Sequence, residues 1–389
     1  MVMKKAIAFW ALMTMILTSC ASSGAAQTTQ EENSKAESIQ AETAQAETVE
    51  ADTAQAESAL EGLSQVDSVK EEDVPSSEKE KIRVLILPKF EIDEMAGDTP
   101  GEAQYYYEAY EQGALEYEIE GGFPSSVLYV KDGVAMYVTG MGKVNAALSL
   151  MAVLSDDRFD FSDTYVISTG CMGTATEYSV MGDVFIATAA VDYDLGHHAD
   201  IRDMSEERET TWFRDSSYDD SAVKILDADL MDQVYNLVKD IPLETTETTR
   251  MFMLKSFEGA EWAGRDPKVL RGTVGTGDNY WKGQYDEANA RLITQSYNCP
   301  DPYAGSEMED IALASAMERM GMLDRFIIIR DSVNMDVFMD GVGPEDLWGE
   351  DVLLSEDEDE SGDIFVIAME NNYKVGSKII DAILDGSIS

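Results

Sequence analysis

The sequence predicts a single α/β domain in residues 81–389, with a mixed central β-sheet flanked by helices. Short apolar runs of β type recur along this region and are bounded by Gly- or Pro-containing turns. Between these runs, apolar residues follow helical spacing. Of all 389 residues, 44% are hydrophobic and 9% are aromatic, which is enough for a sizeable core. Strands that alternate with helices indicate a sheet covered by helices.

The predicted elements follow one another in chain order. The strands are short runs of aliphatic and aromatic residues, at 82–87, 134–139, 164–168, 183–191 and 325–330. The helices are longer segments with apolar residues on one face, at 146–154, 222–238, 308–320 and 371–384. Pro88 ends the first strand, and a Gly-rich turn follows the third. Because α/β sheets bind ligands where strand-end turns gather, we expect the functional site in these turns.

The N-terminal residues differ in kind from this domain. Residues 1–19 combine Lys4 and Lys5 with a short apolar run and small residues, which is typical of a secretory signal peptide. The apolar run is too short to span a bilayer. The stretch ending in Cys20 resembles the bacterial lipobox, which predicts lipidation of Cys20; an ordinary signal peptide with an incidental cysteine is the alternative. We therefore expect an extracytoplasmic protein, lipid-anchored to a bacterial membrane at the cell surface or the periplasmic face.

Residues 20–80 are predicted to form a disordered acidic linker. Pentapeptide repeats such as AESIQ and AETAQ run from Ala36 to Leu60, and a period of five matches neither a helix nor a strand. Residues 31–80 contain fifteen acidic residues and three lysines, a composition that keeps a chain solvated and extended. A marginal Ala/Glu-rich helix is the alternative.

The overall charge restricts the partners of the protein. The chain carries 76 Asp and Glu against 28 Lys and Arg, a net charge of −48. Nucleic acid is not expected to bind, because phosphate binding requires Lys and Arg to replace counterions. Three cysteines are too few for a disulfide scaffold. The two histidines, at 197 and 198, are adjacent and make poor joint ligands, so neither a metal nor another cofactor is predicted.

Two strand-end segments carry polar groups of possible function. The first turn contains Glu91 and Glu94, which can act as a general base if burial raises their pKa, or can belong to a solvated acidic loop. The Gly-rich turn contains Thr169 and Gly170, whose backbone could approach a ligand, although most Gly-rich turns are plain turns. Cys171 has no neighbouring cation in sequence and is interpreted as a packing residue.

Two further segments complete the candidate set. One combines the carboxylate of Asp278 with Tyr280 and Trp281, aromatic residues that could stack on a base or belong to the core. The other pairs Met308–Glu309 at a helix start with Asn334 after a strand, where acids can complement the helix dipole and Asn can form a turn.

Taken in order, these segments resemble the purine nucleoside permease family, whose fold is like that of nucleoside phosphorylases and nucleosidases. The resemblance covers residues 81 to about 340. It rests on Phe90-Glu91 with Pro100-Gly101-Glu102, on 138–142 with Ala146-Ala147, on 157–161, on Gly182-Asp183 with 191–197, on Gly277-Asp278 with Tyr280-Trp281, on Met308-Glu309-Asp310, and on Arg330 with Asn334.

The resemblance implies roles for individual residues. Met308 and Glu309 match the pair that holds the ribose in nucleosidases and phosphorylases. Tyr280, with Trp281 beside it, matches the aromatic residue that stacks on the purine. Asn334 matches the residue that hydrogen-bonds the imidazole-ring nitrogen of the leaving base. The remaining implied positions are the water-activating glutamate (Glu91, or else Glu94), a backbone contact at Thr169 and Gly170, and the site border (Asp278 and His197).

Departures from the family pattern favour one reaction. Phosphorolytic members place arginines in the first turn and before the Gly-rich turn, whereas here the first turn is acidic and Ser168 takes the second position. We therefore predict hydrolysis of the N-glycosidic bond of purine nucleosides, in support of nucleoside uptake.

Two alternatives stay open. One is a non-catalytic nucleoside-binding component that serves a separate transporter, since no spanning segment is predicted, and the other is a phosphate-dependent phosphorylase. The sequence leaves the oligomeric state open; a homo-oligomer is one alternative, because relatives with this fold often share sites between subunits.

Overall fold

The computed structural model describes residues 79–175, 179–205, 208, 210–345 and 358–388. The predicted signal peptide, Cys20 and nearly all of the acidic linker lie outside these residues. The strands of the described domain are β1 (Glu80–Lys81), β2 (Val84–Leu87), β3 (Leu115–Glu118), β4 (Val127–Lys131), β5 (Val134–Met136), β6 (Phe159–Asp160), β7 (Tyr165–Thr174), β8 (Val184–Asp192), β9 (His197–His198), β10 (Trp212–Phe213), β11 (Val223–Ile225), β12 (Val269–Thr276), β13 (Tyr303–Glu307) and β14 (Phe326–Met335).

The helices lie between these strands and at the end of the chain. They are α1 (Gln104–Tyr106, continued by a π-helical turn at Tyr107–Glu111), α2 (Lys143–Leu154), α3 (Asp219–Ala222), α4 (Ala228–Val238), α5 (Glu247–Ser256), α6 (Gln284–Ser296), α7 (Asp310–Arg319) and α8 (Glu358–Asp385). Short 3₁₀ turns occur at Ile201–Asp203, Ser216–Tyr218, Glu261–Gly264 and Leu323–Arg325.

A ten-stranded mixed sheet is the centre of the domain. Its order is β11-β8-β12-β13-β7-β2-β5-β4-β3, and β14 pairs with both β7 and β8. Strands β2, β7 and β14 are mutually parallel neighbours, whereas β13 runs antiparallel to β7 and β14 runs antiparallel to β8. Because β14 joins β7 to β8, the strands β7, β14, β8, β12 and β13 form a closed ring. The prediction of one α/β domain with a mixed central sheet is confirmed.

The core explains why the strands are continuous apolar runs. All four residues of β2 and all of Ile327–Ile329 in β14 are fully buried. Strands covered on both faces have no solvent side, so they do not alternate between apolar and polar residues. Helix α8 packs against β14 and β7 and begins earlier than predicted, at Glu358 rather than 371.

Two predicted elements differ in the structure. The predicted helix 222–238 is divided, since Val223–Ile225 forms β11 on the edge of the sheet and only Ala228–Val238 is helical. Asp227 accepts a hydrogen bond from the amide of Leu230 and caps this helix, which explains where it begins.

The Gly-rich turn predicted after residue 168 is also absent, because β7 continues through it to Thr174 and pairs with β14 along its whole length. Among the described residues, no helix is both long enough and apolar enough to cross a membrane.

Candidate functional site

The candidate residues lie where β2, β7 and β14 end. These three strands are parallel, so their carboxyl ends meet at one edge of the sheet. The first turn follows β2, the segment from Thr169 lies in the second half of β7, and Asn334 lies near the end of β14. Met308 and Glu309 follow β13, and Tyr280 follows β12. Although β13 runs antiparallel to β7, the contact of Glu309 with Arg330 of β14 connects the end of β13 to this group.

Glu91 does not face a ligand but closes the first turn. Its carboxylate accepts backbone N–H groups from Ile92 at 2.8 Å, Ala103 at 2.9 Å, Gln104 at 2.5 Å and, at still closer range, Gly101. Burial raises the pKa of Glu91 to about 7, although these four hydrogen bonds act in the opposite direction. With four amides on two oxygens, the carboxylate has little capacity left to bind water. These contacts show the Glu91 carboxylate bound to the first turn itself, and the assignment of the catalytic base to Glu91 stays a prediction.

Glu102 is another acid of the first turn, and it lies between the end of β2 and strand β7. It is 5% exposed, and its Oε1 accepts the amide of Cys171 at 2.9 Å while its Oε2 accepts the amide of Lys89 at 2.7 Å. The carboxylate thus joins the end of β2 to β7. Gly170 has a φ of +153°, and a Cβ atom there would lie within 2.6 Å of the Glu102 carboxyl carbon. Gly170 therefore makes room for Glu102, which is a different role from the predicted backbone contact with a ligand.

Glu309 lies in a buried ion-pair network centred on Arg330. The Arg330 guanidinium is 1% exposed and contacts Glu307 and Glu309 at 3.1 Å each and Asp310 at 2.8 Å. The other oxygen of Glu309 accepts the amide of Gly142 at 2.9 Å. Burial, followed by the charge of Asp310, raises the pKa of Glu307 to about 8. Three carboxylates around one guanidinium leave this cation without capacity for an anionic ligand.

Lys89 is a second buried cation that is already saturated. It is 2% exposed, and its Nζ donates to the carbonyl oxygens of Leu87 and Thr169, each at 2.9 Å, and to the hydroxyl of Ser168 at 2.6 Å. The Ser168 hydroxyl in turn donates to Asp310 at 2.5 Å. Burial lowers the pKa of Lys89. Because the Thr169 carbonyl and side chain are both buried and bonded, Thr169 supports the site rather than contacting a ligand.

Tyr280 and Trp281 are neighbours in sequence with opposite environments. The ring of Tyr280 is 49% exposed, whereas Trp281 is 8% exposed. Trp281 stacks on Tyr193 with 5.0 Å between ring centroids and belongs to a hydrophobic cluster. The predicted ligand contact at Trp281 is thus corrected to a core position, and Tyr280 is the residue available for stacking.

Asn334 lies in a small polar group above Gly173. Its amide nitrogen has one long contact, 3.4 Å to the carbonyl of Met335, and the residue is partly exposed. A Cβ atom on Gly173 would lie 3.2 Å from this nitrogen and 2.9 Å from the hydroxyl of Ser306. Ser306 donates to the buried Asp336 at 2.7 Å, and burial raises the pKa of Asp336 to about 6.

The predicted border residues lie on the outside of the domain. Asp278 is exposed; its carboxylate accepts the amide of Lys143 at 2.9 Å, and its own amide donates to Asp194 at 2.8 Å. The side chain of His197 is 68% exposed and contacts Asp215 at 3.1 Å. Glu94 is exposed as well. None of the contacts described for the His197 and Glu94 side chains reaches Glu102, Glu309 or Asn334.

Sequence reasoning missed Glu102, Ser306 and Asp336 as members of the site. Pro100-Gly101-Glu102 belonged to the stretches that carried the family resemblance, so its glutamate could have been considered beside Glu91. No comparable pattern marks Ser306, which approaches Asn334 because β13 and β14 both pair with β7 at Gly173. Asp336 follows Asn334 by two residues, so its position near Asn334 is local in sequence.

The fold and this site define an α/β protein with buried carboxylates, an exposed tyrosine and a partly exposed asparagine at its strand ends. A family model described as purine nucleoside permease (NUP) matches residues 81–387. The chain belongs to the purine nucleoside permease family, as the sequence resemblance predicted.

Individual relatives are more distant. The chain is 26% identical to a probable purine nucleoside permease of Schizosaccharomyces pombe, over 68% of this chain and 79% of that protein. It is 25% identical to a 5′-methylthioadenosine/S-adenosylhomocysteine nucleosidase of Anoxybacillus flavithermus, over 51% of this chain and 66% of that protein. A solved nucleosidase of this type from Neisseria meningitidis, in complex with methylthio-immucillin-A, aligns with a TM-score of 0.46 and 19% identity, over 77% of this chain and 99% of that chain.

Proposed function

We propose that the protein binds purine nucleosides and hydrolyses their N-glycosidic bond, with Glu102 as the general base. The observation that carries this proposal is the burial of Glu102 at the joined ends of β2 and β7, beside cations that are already saturated by the protein itself. Family membership and the nucleosidase relatives support a nucleoside as the ligand.

In the proposed reaction, Glu309 accepts hydrogen bonds from the ribose hydroxyls and Tyr280 stacks on the purine. Water on the far side of the sugar transfers a proton to Glu102 and forms the new bond to C1′. The bond between C1′ and the base nitrogen breaks, and its electron pair leaves with the purine, which takes up a proton from solvent. The products are the free base and the free sugar. Asn334 donates a hydrogen bond to the departing base, which stabilises its developing negative charge.

Phosphorolysis is disfavoured for an electrostatic reason. A phosphate co-substrate must be gripped by cations that have free donors. Protein oxygens occupy the donors of the fully buried Lys89 and Arg330. Lys282, near Asp336, is a third, partly buried cation, and burial lowers its pKa, which weakens it as a phosphate ligand. Lys143 is paired with Asp192 at 3.1 Å and Asp194 at 2.6 Å. Water is therefore the better nucleophile for this site.

The test is incubation of purified protein with inosine or adenosine, with and without phosphate, followed by chromatography of base and sugar. We expect free base and free ribose in both conditions. The variant Glu102→Gln should lower kcat by about 10²–10⁴, the usual contribution of a general base, and should retain nucleoside binding. Glu108→Gln, an exposed acid in the adjacent helical turn, is the matched control. Product that forms only with phosphate, or full activity in E102Q, would refute the proposal.

The second candidate is nucleoside capture without chemistry, for delivery to a separate transporter. The side chain at position 334 favours it, because an amide cannot transfer a proton to the leaving base as a carboxylic acid would. In the incubation experiment this function predicts bound, intact nucleoside and no free base.

The location of the protein is also proposed from the sequence. Cys20 would carry a lipid that anchors the chain to the outer side of a bacterial membrane, with residues 20–80 as the spacer. Metabolic labelling with a radioactive fatty acid tests this proposal. Wild-type protein should be labelled and sediment with membranes, whereas Cys20→Ala should be neither.

A further inference from the structure

One buried amide of the C-terminal helix α8 lies beneath the candidate site. Asn372 is 2% exposed, and its Oδ1 accepts the hydroxyls of Tyr106 at 2.7 Å and Thr169 at 2.5 Å. Its Nδ2 donates to Asp331 at 2.7 Å and approaches the carbonyl of Gly170 at 3.4 Å. A single side chain thus bonds to α1, β7 and β14.

The same face of α8 also holds the ring of Tyr106. Gly376, one helical turn after Asn372, contacts this ring so closely that a Cβ atom there would lie within 2.8 Å of its Cζ atom. Tyr373 packs against the ring edge-on, with 5.5 Å between centroids. Tyr106 is 2% exposed and can hardly move without moving α8.

These contacts act on the two chain segments that orient Glu102. Tyr106 lies in α1, four residues after Glu102. Because Tyr106 is held in place, the backbone at the start of α1, next to Glu102, is held in place as well. Thr169 and Gly170 immediately precede Cys171, whose amide donates to Glu102 at 2.9 Å. Asn372 thus bonds to α1, which follows Glu102, and to the segment of β7 whose Cys171 amide donates to the Glu102 carboxylate.

We propose that Asn372 is a positioning residue that holds Glu102 in its reactive geometry through Tyr106 and the 169–171 segment of β7. This inference rests on the proposed hydrolysis. Through Asn372, it makes helix α8 part of the structure that supports catalysis. Asparagine suits this place because it accepts from two hydroxyls while it donates to Asp331, a combination that an apolar side chain cannot provide.

The neighbouring residue offers a matched control. Asn371 is equally buried, at 0% exposure, but it bonds to the backbone of Glu244 at 2.7 and 2.9 Å and to the carbonyl of Gly182 at 3.0 Å. Both Asn→Ala variants remove a buried amide with several hydrogen bonds from the same helix. We therefore expect similar losses of thermal stability in the two variants, with different effects on catalysis.

The experiment compares kcat, KM and the pH dependence of kcat in wild type, Asn372→Ala and Asn371→Ala. In N372A, kcat should fall at least tenfold with KM within about threefold, because small displacements of a catalytic group cost up to about 100-fold in rate. The acidic limb of its pH profile should shift, since the surroundings of the base change. N371A should keep the wild-type kcat and profile.

Three outcomes would overturn the inference. The first is an equal loss of kcat in N372A and N371A. The second is an N372A variant whose kcat and pH profile equal those of wild type. The third is the absence of nucleoside turnover in the wild-type protein, which would also refute the proposed function. If N372A does not fold, Tyr106→Phe decides the question. It removes only the hydroxyl bonded to Asn372 and should lower kcat about threefold to tenfold; a kcat within twofold of wild type would contradict the inference.

Discussion

Substitution of Gly170 by alanine gives a direct test of the geometry around Glu102. The added Cβ atom would lie within 2.6 Å of the Glu102 carboxyl carbon and 2.7 Å of its Oε2, which is closer than real Cβ contacts allow. The carboxylate is the end of a flexible side chain, so it should move away rather than unfold the protein. We expect a loss of about 1–3 kcal/mol in the free energy of unfolding from overpacking, and a further loss of about 1–3 kcal/mol because a residue with a Cβ atom is strained at a φ of +153°.

The effect on catalysis should be larger than the effect on folding. A general base displaced by about 1 Å can lose about 100-fold in rate, so kcat of Gly170→Ala should fall at least tenfold. Gly321→Ala is the control, because Gly321 also has a positive φ, +69°, but a Cβ there would contact nothing within 4 Å. Purine release is measured by chromatography, and stability by urea unfolding. A kcat of G170A within twofold of wild type, or equal to that of G321A after a comparable stability loss, would refute the placement of Glu102.

Two further predictions concern stability and ligand stacking. Glu111 is fully buried, its oxygens have no hydrogen-bond partner among the described residues, and burial raises its pKa to about 8. The folded state therefore binds this proton more tightly than the unfolded state, so wild type loses stability as the pH rises from about 4.5 to about 8 and levels off above that. Between pH 6 and pH 9, the free energy of unfolding of Glu111→Gln should rise by roughly 2–3 kcal/mol relative to that of wild type. Urea unfolding at each pH measures this difference, and an equal pH dependence of the two proteins would contradict the prediction. Tyr280→Ala should raise KM about 5- to 100-fold with little change in melting temperature. Trp281→Ala, by contrast, should lower the free energy of unfolding by about 3–5 kcal/mol. Steady-state kinetics and thermal melts distinguish the two variants, and the reverse pattern would refute the assignment of Tyr280 to stacking and Trp281 to the core.

The fold class was predictable because it depends on local patterns. Apolar runs and helical spacing are written in consecutive residues, and the alternation of strands with helices follows from them. The same local evidence predicted a turn after residue 168, where β7 in fact continues. Glycines in this segment suggest a turn, but pairing with β14 and the space needed by Glu102 explain them better.

The candidate site was predictable as a region and only partly by residue. Family-like stretches placed Glu309, Tyr280 and Asn334 at strand ends, and the structure brings them to the same side of the domain. They could not distinguish Glu91 from Glu102, because both are acids of one long turn. The two acids differ in their hydrogen bonds. The Glu91 carboxylate accepts amides of the turn itself, whereas the Glu102 carboxylate accepts the amide of Cys171, 69 residues further along the chain.

The sequence by itself determined the class of domain, its family and the region of the site, since these rest on composition, periodicity and local motifs. Only the tertiary structure decided which side chains are buried and which groups they contact. Tyr280 and Trp281 are adjacent, yet one ring is half exposed and the other stacks on Tyr193. Burial and hydrogen bonding arise from contacts between segments far apart in the chain, and no local pattern encodes them.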